Sequence, residues 1–184
     1  MPDVRAELLE LLDELDDRRR RPIYPLEGTP FHVHATYARD EMSAGLLEVR
    51  KGKLLRTQSG VYRQKSTKTE FVFVTLTKDE KHFTPTTLYH DYPISPSKFH
   101  WETQAAVREE SESGLRYRHH VEREWRVILF VRQAKNDRGV TMPYLCLGPI
   151  QYSSHEGDKP MQSIWDLERP MPPDFFQSVK VAAG

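Results

Sequence analysis

The segment from residue 84 to 104, TPTTLYHDYPISPSKFHWETQ, brings aromatic rings, hydroxyl groups and one carboxylate close together. If LYHDYP is extended, Tyr89 and Asp91 lie on one side of the strand, and His90 and Tyr92 lie on the other. Aromatic faces can hold a base that has been taken out of a DNA stack, and a carboxylate can accept a hydrogen bond from the amine of cytosine. The same residues also fit an aromatic core or lid in which the aspartate caps a turn. The segment alone leaves both interpretations open.

A basic run comes before this segment. Residues 49–69 contain seven cations and no acid: Arg50, Lys51, Lys53, Arg56, Arg63, Lys65 and Lys68. Strands are predicted at residues 60–65 and 71–78, and a hairpin between them would place the cations along one edge and its turn. Such a row could neutralise DNA phosphates without reading sequence, or it could be a solvated surface loop.

Bulk composition limits the class of protein. The chain has 184 residues, which fits one domain, with 27 basic and 27 acidic side chains. Residues 1–17 hold seven of the acids and one base, so the rest of the chain carries a net charge of +6. The single cysteine, Cys146, excludes an internal disulfide and a multi-cysteine zinc site, and its apolar surroundings in YLCLG predict a buried side chain.

Several catalytic motifs are absent from the sequence. GVYRQKS lacks the second glycine of a phosphate-binding loop, and neither G-x-S-x-G nor H-E-x-x-H occurs, so we expect no ATPase, hydrolase or metalloprotease chemistry. The catalytic alternative is a metal-dependent nuclease that uses His82, His90, His100 and Asp91. A third alternative is a protein-interaction domain whose contact surface is the acidic N-terminal helix. We expect a non-catalytic domain without metal or cofactor, a cytoplasmic location and no membrane partner.

Hydrophobic spacing divides the chain into segments. Residues 3–20 predict an amphipathic helix, because Val4, Leu8, Leu11, Leu12 and Leu15 recur at helical spacing. The predicted organisation is an N-terminal helix or connector at 1–21, a linker at 22–30, a folded domain at 31–176 and a tail at 177–184.

The folded domain reads as α+β, mainly β. FHVHATY, GVYRQ, EFVFVTLTK, EWRVILFVRQ and MPYLCLGPIQYSSH are typical of strands, a short helix is predicted at 39–47, and REESESG (108–114) is predicted as a loop. Short strands with few helices favour a closed or half-closed β-barrel with two or three helices packed on it.

Long ordered blocks between residues 30 and 176 resemble a bacterial domain. The blocks are FVFVTLTKDEKHFTPTTLYHDYPIS, FHWETQ, GLRYRHH, ILFVRQ and PYLCLGPIQYSSHEGDKPMQSIWDLERPMP. The domain that they resemble, formerly of unknown function, lies at the C-terminus of DEAD/DEAH-box helicase proteins, commonly behind a phospholipase-D-type nuclease module. Some of those proteins look like type IV restriction enzymes, whose C-terminal domain is similar to SRA-type readers of 5-methylcytosine.

The resemblance implies an SRA/PUA-like twisted barrel that flips and reads a modified cytosine in double-stranded DNA, either 5-methyl or 5-hydroxymethyl. It also implies that ATPase and nuclease activities belong to other modules, in cis or in trans. On this hypothesis the base pocket comprises Thr86, Thr87, Tyr89, His90, Asp91, Tyr92, Ser95 and Trp101. Its tyrosines and tryptophan stack on the base, and Asp91 accepts from the base edge. The expected contacts to the DNA backbone are Lys65, Lys68, Lys81 and Arg116.

Overall fold

The computed structural model of the protein describes residues 4–5, 7–9, 12, 22–46, 49–50, 53–54, 60–77, 91–137 and 139–183. The backbone is helical at each described position from 4 to 12, which agrees with the predicted N-terminal helix. The side chains of Val4, Leu8, Leu9 and Leu12 are all more than half exposed.

The described strands follow the alternating and β-branched stretches of the sequence. They are β1 (Tyr24–Pro25), β2 (His32–Val33), β3 (Thr36–Tyr37), β4 (Val49–Arg50), β5 (Lys53–Leu54), β6 (Val61–Gln64), β7 (Thr69–Thr77), β8 (Tyr92–Ser95), β9 (Lys98–Glu102), β10 (Arg126–Ala134), β11 (Asn136–Asp137), β12 (Val140–Thr141), β13 (Tyr144–Glu156) and β14 (Gln162–Leu167). The helices within the domain are α1 (Arg39–Gly45), α2 (Glu112–Arg118) and α3 (Pro173–Ala183), and Lys65–Thr67 forms a 3₁₀ turn.

A mixed sheet forms the centre of the domain, in the order β6-β7-β10-β13-β14-β9-β8, with β3 paired to β13. The neighbours β7 and β10 are parallel, and the other pairings along this order are antiparallel. Parallel neighbours need a long connection, and here the chain forms β8, β9 and α2 before it returns as β10. The hairpin predicted from residues 60–65 and 71–78 is confirmed as β6 and β7.

Both faces of the sheet centre are buried, because alternate residues of the central strands point to opposite sides. On β10, Val127, Leu129 and Val131 enter one core cluster, together with Trp165 and Phe99. The intervening Ile128 and Phe130 enter a second cluster on the opposite face, which includes Cys146. Cys146 is fully buried as predicted, and burial raises the pKa of its thiol to about 12, so it is a packing residue.

The segment before residue 46 covers the second cluster, so the prediction of a linker at 22–30 needs correction. Leu26 and Phe31 are buried in that cluster, and β1 pairs with β2. Gly148 permits the close approach of this layer: its φ is +85°, and a Cβ there would lie 2.8 Å from a methyl group of Val33. Residues 22–46 are therefore part of the domain, because their apolar side chains cover a sheet face that water would otherwise reach.

The C-terminal helix α3 covers the first cluster, so the predicted tail at 177–184 also needs correction. Phe176 and Val179 are buried, and Gln133 Nε2 donates to the Ser178 carbonyl at 3.5 Å. The helical spacing of Phe175, Phe176 and Val179 was a signal for this element, and the prolines before it mark a helix start.

His120 shows how one of the eight histidines is used. Its Nε2 accepts a hydrogen bond from the Tyr152 backbone N–H at 3.1 Å, and its Nδ1 lies 3.0 Å from the Trp125 carbonyl. A nitrogen that accepts carries no proton, so the neutral ring with a proton on Nδ1 satisfies both contacts. Burial lowers the pKa of His120, which favours this neutral form.

The predicted class, α+β and mainly β, is confirmed. The ladders between described strands form an open path from β6 to β8, without a closing ladder in that part of the chain. The start of β8 and the ends of β7 and β10 line one common recess, although β8 is the last strand in this order. The sheet must therefore curl to bring these strands together. The fold is therefore a curled mixed sheet with α1 packed on one face and α3 on the other.

Candidate functional site

A recess of about 90 Å³ opens where the carboxyl ends of the parallel strands β7 and β10 meet the start of β8. It is lined by residues of those strands and of α3: Leu76, Thr77, Asp91, Tyr92, Pro93, Gln133 and Val179. Carboxyl ends of parallel strands are a frequent place for ligand sites in open sheets. A recess of this size suits the edge of one planar ring.

Asp91 fastens the hairpin of β8 and β9 at this recess. Its Oδ1 accepts a hydrogen bond from the Glu102 backbone N–H at 3.0 Å, across the hairpin. The sequence left a choice between a pocket role and a turn-capping role for this aspartate. The structure gives Asp91 a backbone contact while placing it in the recess lining.

Tyr92 presents an aromatic ring at the rim of the same recess. It stacks on the ring of His100, with centroids 4.6 Å apart and planes 14° from parallel. His100 is buried, whereas Tyr92 is 43% exposed. The ring of His100 thus supports one face of the Tyr92 ring, while much of the Tyr92 side chain stays exposed to solvent. This geometry is that of a platform on which another planar group can stack.

Two other predicted pocket residues lie elsewhere. Trp101 is buried in the first core cluster against Tyr117 and Trp165, with centroids 5.2 and 6.1 Å away, so its predicted role as a stacking group needs correction. It follows His100 on β9 and therefore points to the opposite face from the Tyr92 platform. Ser95 lies at the far end of β8, where its hydroxyl accepts from the Ser97 N–H at 3.3 Å.

The prediction that Arg116 contacts a DNA phosphate also needs correction. Arg116 is 5% exposed and Glu70 is 2% exposed. Arg116 Nε and Nη2 donate to the two carboxylate oxygens of Glu70, at 2.8 and 3.2 Å, and the Tyr117 hydroxyl lies 3.2 Å from Glu70 Oε1. Burial alone would lower the pKa of Arg116, but the hydrogen bond and charge of Glu70 outweigh it and raise the pKa. Arg116 is thus a buried cation that pairs with the buried Glu70 and, through Nη1, with the exposed Glu112 at 3.3 Å.

Lys65 and Lys68 lie far from the recess. Both precede Thr69 at the amino end of β7, whereas Leu76 and Thr77 line the recess at the other end of this nine-residue strand. At about 3.3 Å per residue the two ends are about 26 Å apart. Lys68 Nζ also pairs with Glu124 at 2.8 Å on the surface. The structure therefore places neither Lys65 nor Lys68 at the candidate base site.

The remaining predicted residues, Thr86, Thr87, Tyr89, His90 and Lys81, lie outside the described residues. So does His82 of the nuclease alternative. The described part of the chain contains no group of three His, Cys, Asp or Glu side chains that could hold a metal ion.

Sequence reasoning did not select Gln133, Thr77 or Arg132 as site residues. All three lie near the ends of strands that the sequence predicts, EFVFVTLTK and EWRVILFVRQ. The usable signal was the change from apolar to polar residues in VILFVRQ and FVTLT, since the polar end of a buried strand marks where it leaves the core.

Fold and recess together define an α+β domain with a curled mixed sheet and a small half-open site at the ends of its parallel strands. The chain belongs to the family described as "Domain of unknown function (DUF3427)", whose model matches residues 31–179. Comparison with curated proteins gave no match. None of the helices among the described residues has the length and apolar character needed to cross a membrane.

Proposed function

We propose that this domain binds double-stranded DNA and reads a modified cytosine, 5-methyl or 5-hydroxymethyl, after the base has been flipped out of the duplex. In this proposal the domain is a non-catalytic, cytoplasmic targeting module of a modification-dependent restriction system. Helicase and nuclease modules, in the same chain or in a partner, would supply ATP hydrolysis and DNA cleavage.

The observation that carries the proposal is the Tyr92 platform beside Asp91. A flipped base needs an aromatic surface for its ring and a hydrogen-bonding group for its edge. The Tyr92 ring, supported by His100, supplies the surface, and Asp91 lies in the lining of the adjoining recess. A carboxylate is suited to the exocyclic amine of cytosine, which is a donor. Leu76 and Val179 add apolar surface to that lining, and such surface favours a methyl group over water.

Two rival functions make different predictions. A metal-dependent nuclease would cut plasmid DNA in the presence of magnesium, manganese or zinc, whereas the proposed reader leaves it intact. An interaction domain that only positions a helicase would bind no DNA above background. The exposed apolar residues Val4, Leu8 and Leu12 are the described surface that such a partner would use.

Tyr92→Ala is the substitution that tests the platform. Stacking of one base on an aromatic side chain contributes about 1–3 kcal/mol, so the variant should bind a modified duplex about 5- to 150-fold more weakly. The measurement is fluorescence anisotropy with a labelled duplex that carries one modified cytosine.

Ile94→Ala is the matched control for this experiment. Ile94 lies two residues further along β8 and is 42% exposed, which is close to the 43% of Tyr92. It is absent from the recess lining, so its loss should change affinity by less than about twofold. Equal effects of the two substitutions would argue against a specific stacking role for Tyr92.

A further inference from the structure

Arg132 is a nearly buried cation whose contacts with the described residues are all neutral. It lies on β10 and is 7% exposed. Its Nε donates to the Thr75 hydroxyl at 2.9 Å, its Nη1 donates to the Met142 carbonyl at 3.2 Å, and its guanidinium lies 4.3 Å from the centre of the Tyr144 ring. These three contacts fix the orientation of the guanidinium plane.

The charge of Arg132 has no counter-charge in the described part of the chain. Arg116, the other buried arginine among the described residues, has Glu70 at 2.8 Å, but none of the ion pairs between described residues involves Arg132. The nearby charge that acts on Arg132 is a second cation, Arg39, the exposed first residue of α1. Burial lowers the pKa of Arg132, Tyr144 raises it, and Arg39 lowers it further. A cation held in this way is costly to the fold unless an anion neutralises it.

One nitrogen of Arg132 remains available for a ligand. Nη2 has no hydrogen bond to the described residues in the contact geometry and is not among their enclosed polar atoms without a partner, so part of its surface is open to solvent. A guanidinium that is anchored through Nε and Nη1, with Nη2 directed outward, is a pre-oriented donor for an oxyanion.

Arg132 also lies beside the recess. It is consecutive with Gln133, which lines the recess, and their Cα atoms are about 3.8 Å apart. On β7, the strand paired with β10, Thr75 contacts Arg132, and the next two residues, Leu76 and Thr77, line the recess. Arg132 and the recess therefore lie at the same end of β7 and β10, one or two residues apart along each strand.

We propose that Arg132, assisted by Arg39, binds one phosphate group of the DNA backbone next to the flipped nucleotide. This inference rests on the proposed DNA-reading function and names a backbone contact that the basic run at residues 49–69 does not include. The backbone would cross the carboxyl ends of β7 and β10 with a phosphate on Nη2 and the base in the recess.

The test compares wild type with Arg132→Met for a modified and an unmodified duplex over a series of salt concentrations. Loss of one phosphate contact should lower the slope of log affinity against log salt by about 0.9. Both duplexes should bind about tenfold more weakly, while the ratio between them stays as in wild type. An unchanged slope in a folded Arg132→Met variant would overturn the proposal.

Two surface variants keep the test valid if Arg132→Met does not fold. Arg39→Ala removes an exposed side chain and should weaken both duplexes by about threefold. The control is Arg108→Ala, which removes another exposed arginine, one that lies next to α2, and it should leave both affinities unchanged. Equal effects of Arg39→Ala and Arg108→Ala would contradict a localised phosphate site.

Inorganic phosphate distinguishes the source of the anion and separates this inference from the proposed function. Phosphate should raise the Tm of wild type above that in chloride at equal ionic strength, and Arg132→Met or Arg132→Lys should reduce the increase. If the increase is lost in the variant but the DNA slope is unchanged, the site takes a free phosphate and the DNA assignment is wrong. If neither duplex binds but the phosphate effect follows Arg132, the anion site stands and the proposed function fails.

Discussion

Replacing Arg116 with alanine is expected to lower the free energy of unfolding by about 3–5 kcal/mol, because it leaves the Glu70 carboxylate buried without its counter-charge. Glu70 is 2% exposed and would keep only the Tyr117 hydroxyl among its described side-chain donors. Glu70→Ala should also be destabilising, but by less, because the guanidinium then keeps the exposed carboxylate of Glu112, 3.3 Å from Nη1, as a partner. Urea denaturation at neutral pH measures both effects.

The combined replacement of Glu70 and Arg116 separates two quantities. One is the cost of burying an unpaired charge, and the other is the net contribution of the ion pair to the free energy of unfolding. Since desolvation offsets much of the attraction in a buried ion pair, Glu70→Leu with Arg116→Met should be far less destabilising than either alanine variant alone. Lys98→Ala serves as the control, because it breaks the exposed pair with Asp166 and should cost less than about 1 kcal/mol. A stable Arg116→Ala variant with weakened DNA binding would instead restore the phosphate-contact role predicted from the sequence.

Gly114→Ala is expected to destabilise the domain by about 3 kcal/mol, although Ala is favoured over Gly within a helix. A Cβ at this position of α2 would lie 2.0 Å from the Arg108 carbonyl oxygen and 2.6 Å from that of Glu109. Both obstacles are backbone atoms, so no change of side-chain rotamer relieves them. The loop is held in place by the Ser111 hydroxyl, which donates to the Arg108 carbonyl at 2.7 Å and accepts from the Gly114 N–H at 3.2 Å.

Whether Gly114→Ala raises or lowers the free energy of unfolding distinguishes helix propensity from the steric clash. Helix propensity alone predicts a gain of about 0.5–1 kcal/mol for Gly114→Ala. The control is Gly139→Ala, where a Cβ meets nothing within 4 Å and the φ of +83° is the source of strain, which costs about 1–2 kcal/mol. Thermal unfolding of the two variants tests this order, and a stabilised Gly114→Ala would contradict the packing of the 108–111 loop against α2.

The central strands were predictable from sequence because their side chains alternate between two apolar faces. EFVFVTLT and RVILFVRQ place β-branched and aromatic residues at successive positions, and the structure pairs them as the parallel strands β7 and β10. The segment REESESG was read as a loop because of its polarity, yet Ser111 caps α2 and the helix begins at Glu112. The polarity of this segment does not show where α2 begins, but serine is a favoured N-cap residue, so Ser111 marks the helix start.

The candidate site was predictable in part. Asp91 and Tyr92 were selected from their types and spacing, and both line the recess. In FHWE, by contrast, His100 and Trp101 are both large rings, so the alternation of a strand does not tell which one faces the core. Arg116 was misread because its partner Glu70 lies 46 positions away in the sequence, and a charged residue without a visible partner is naturally placed at the surface.

The most direct test of the central claim is equilibrium binding of the wild-type chain to two duplexes that differ by one methyl group on one cytosine. Fluorescence anisotropy at about 0.15 M salt keeps non-specific phosphate contacts comparable between the two. A methyl group in a fitted apolar pocket is worth about 1–3 kcal/mol, so the account predicts about tenfold or tighter binding of the methylated duplex. Equal affinity for the methylated and unmodified duplexes, and likewise for a hydroxymethylated one, would contradict it.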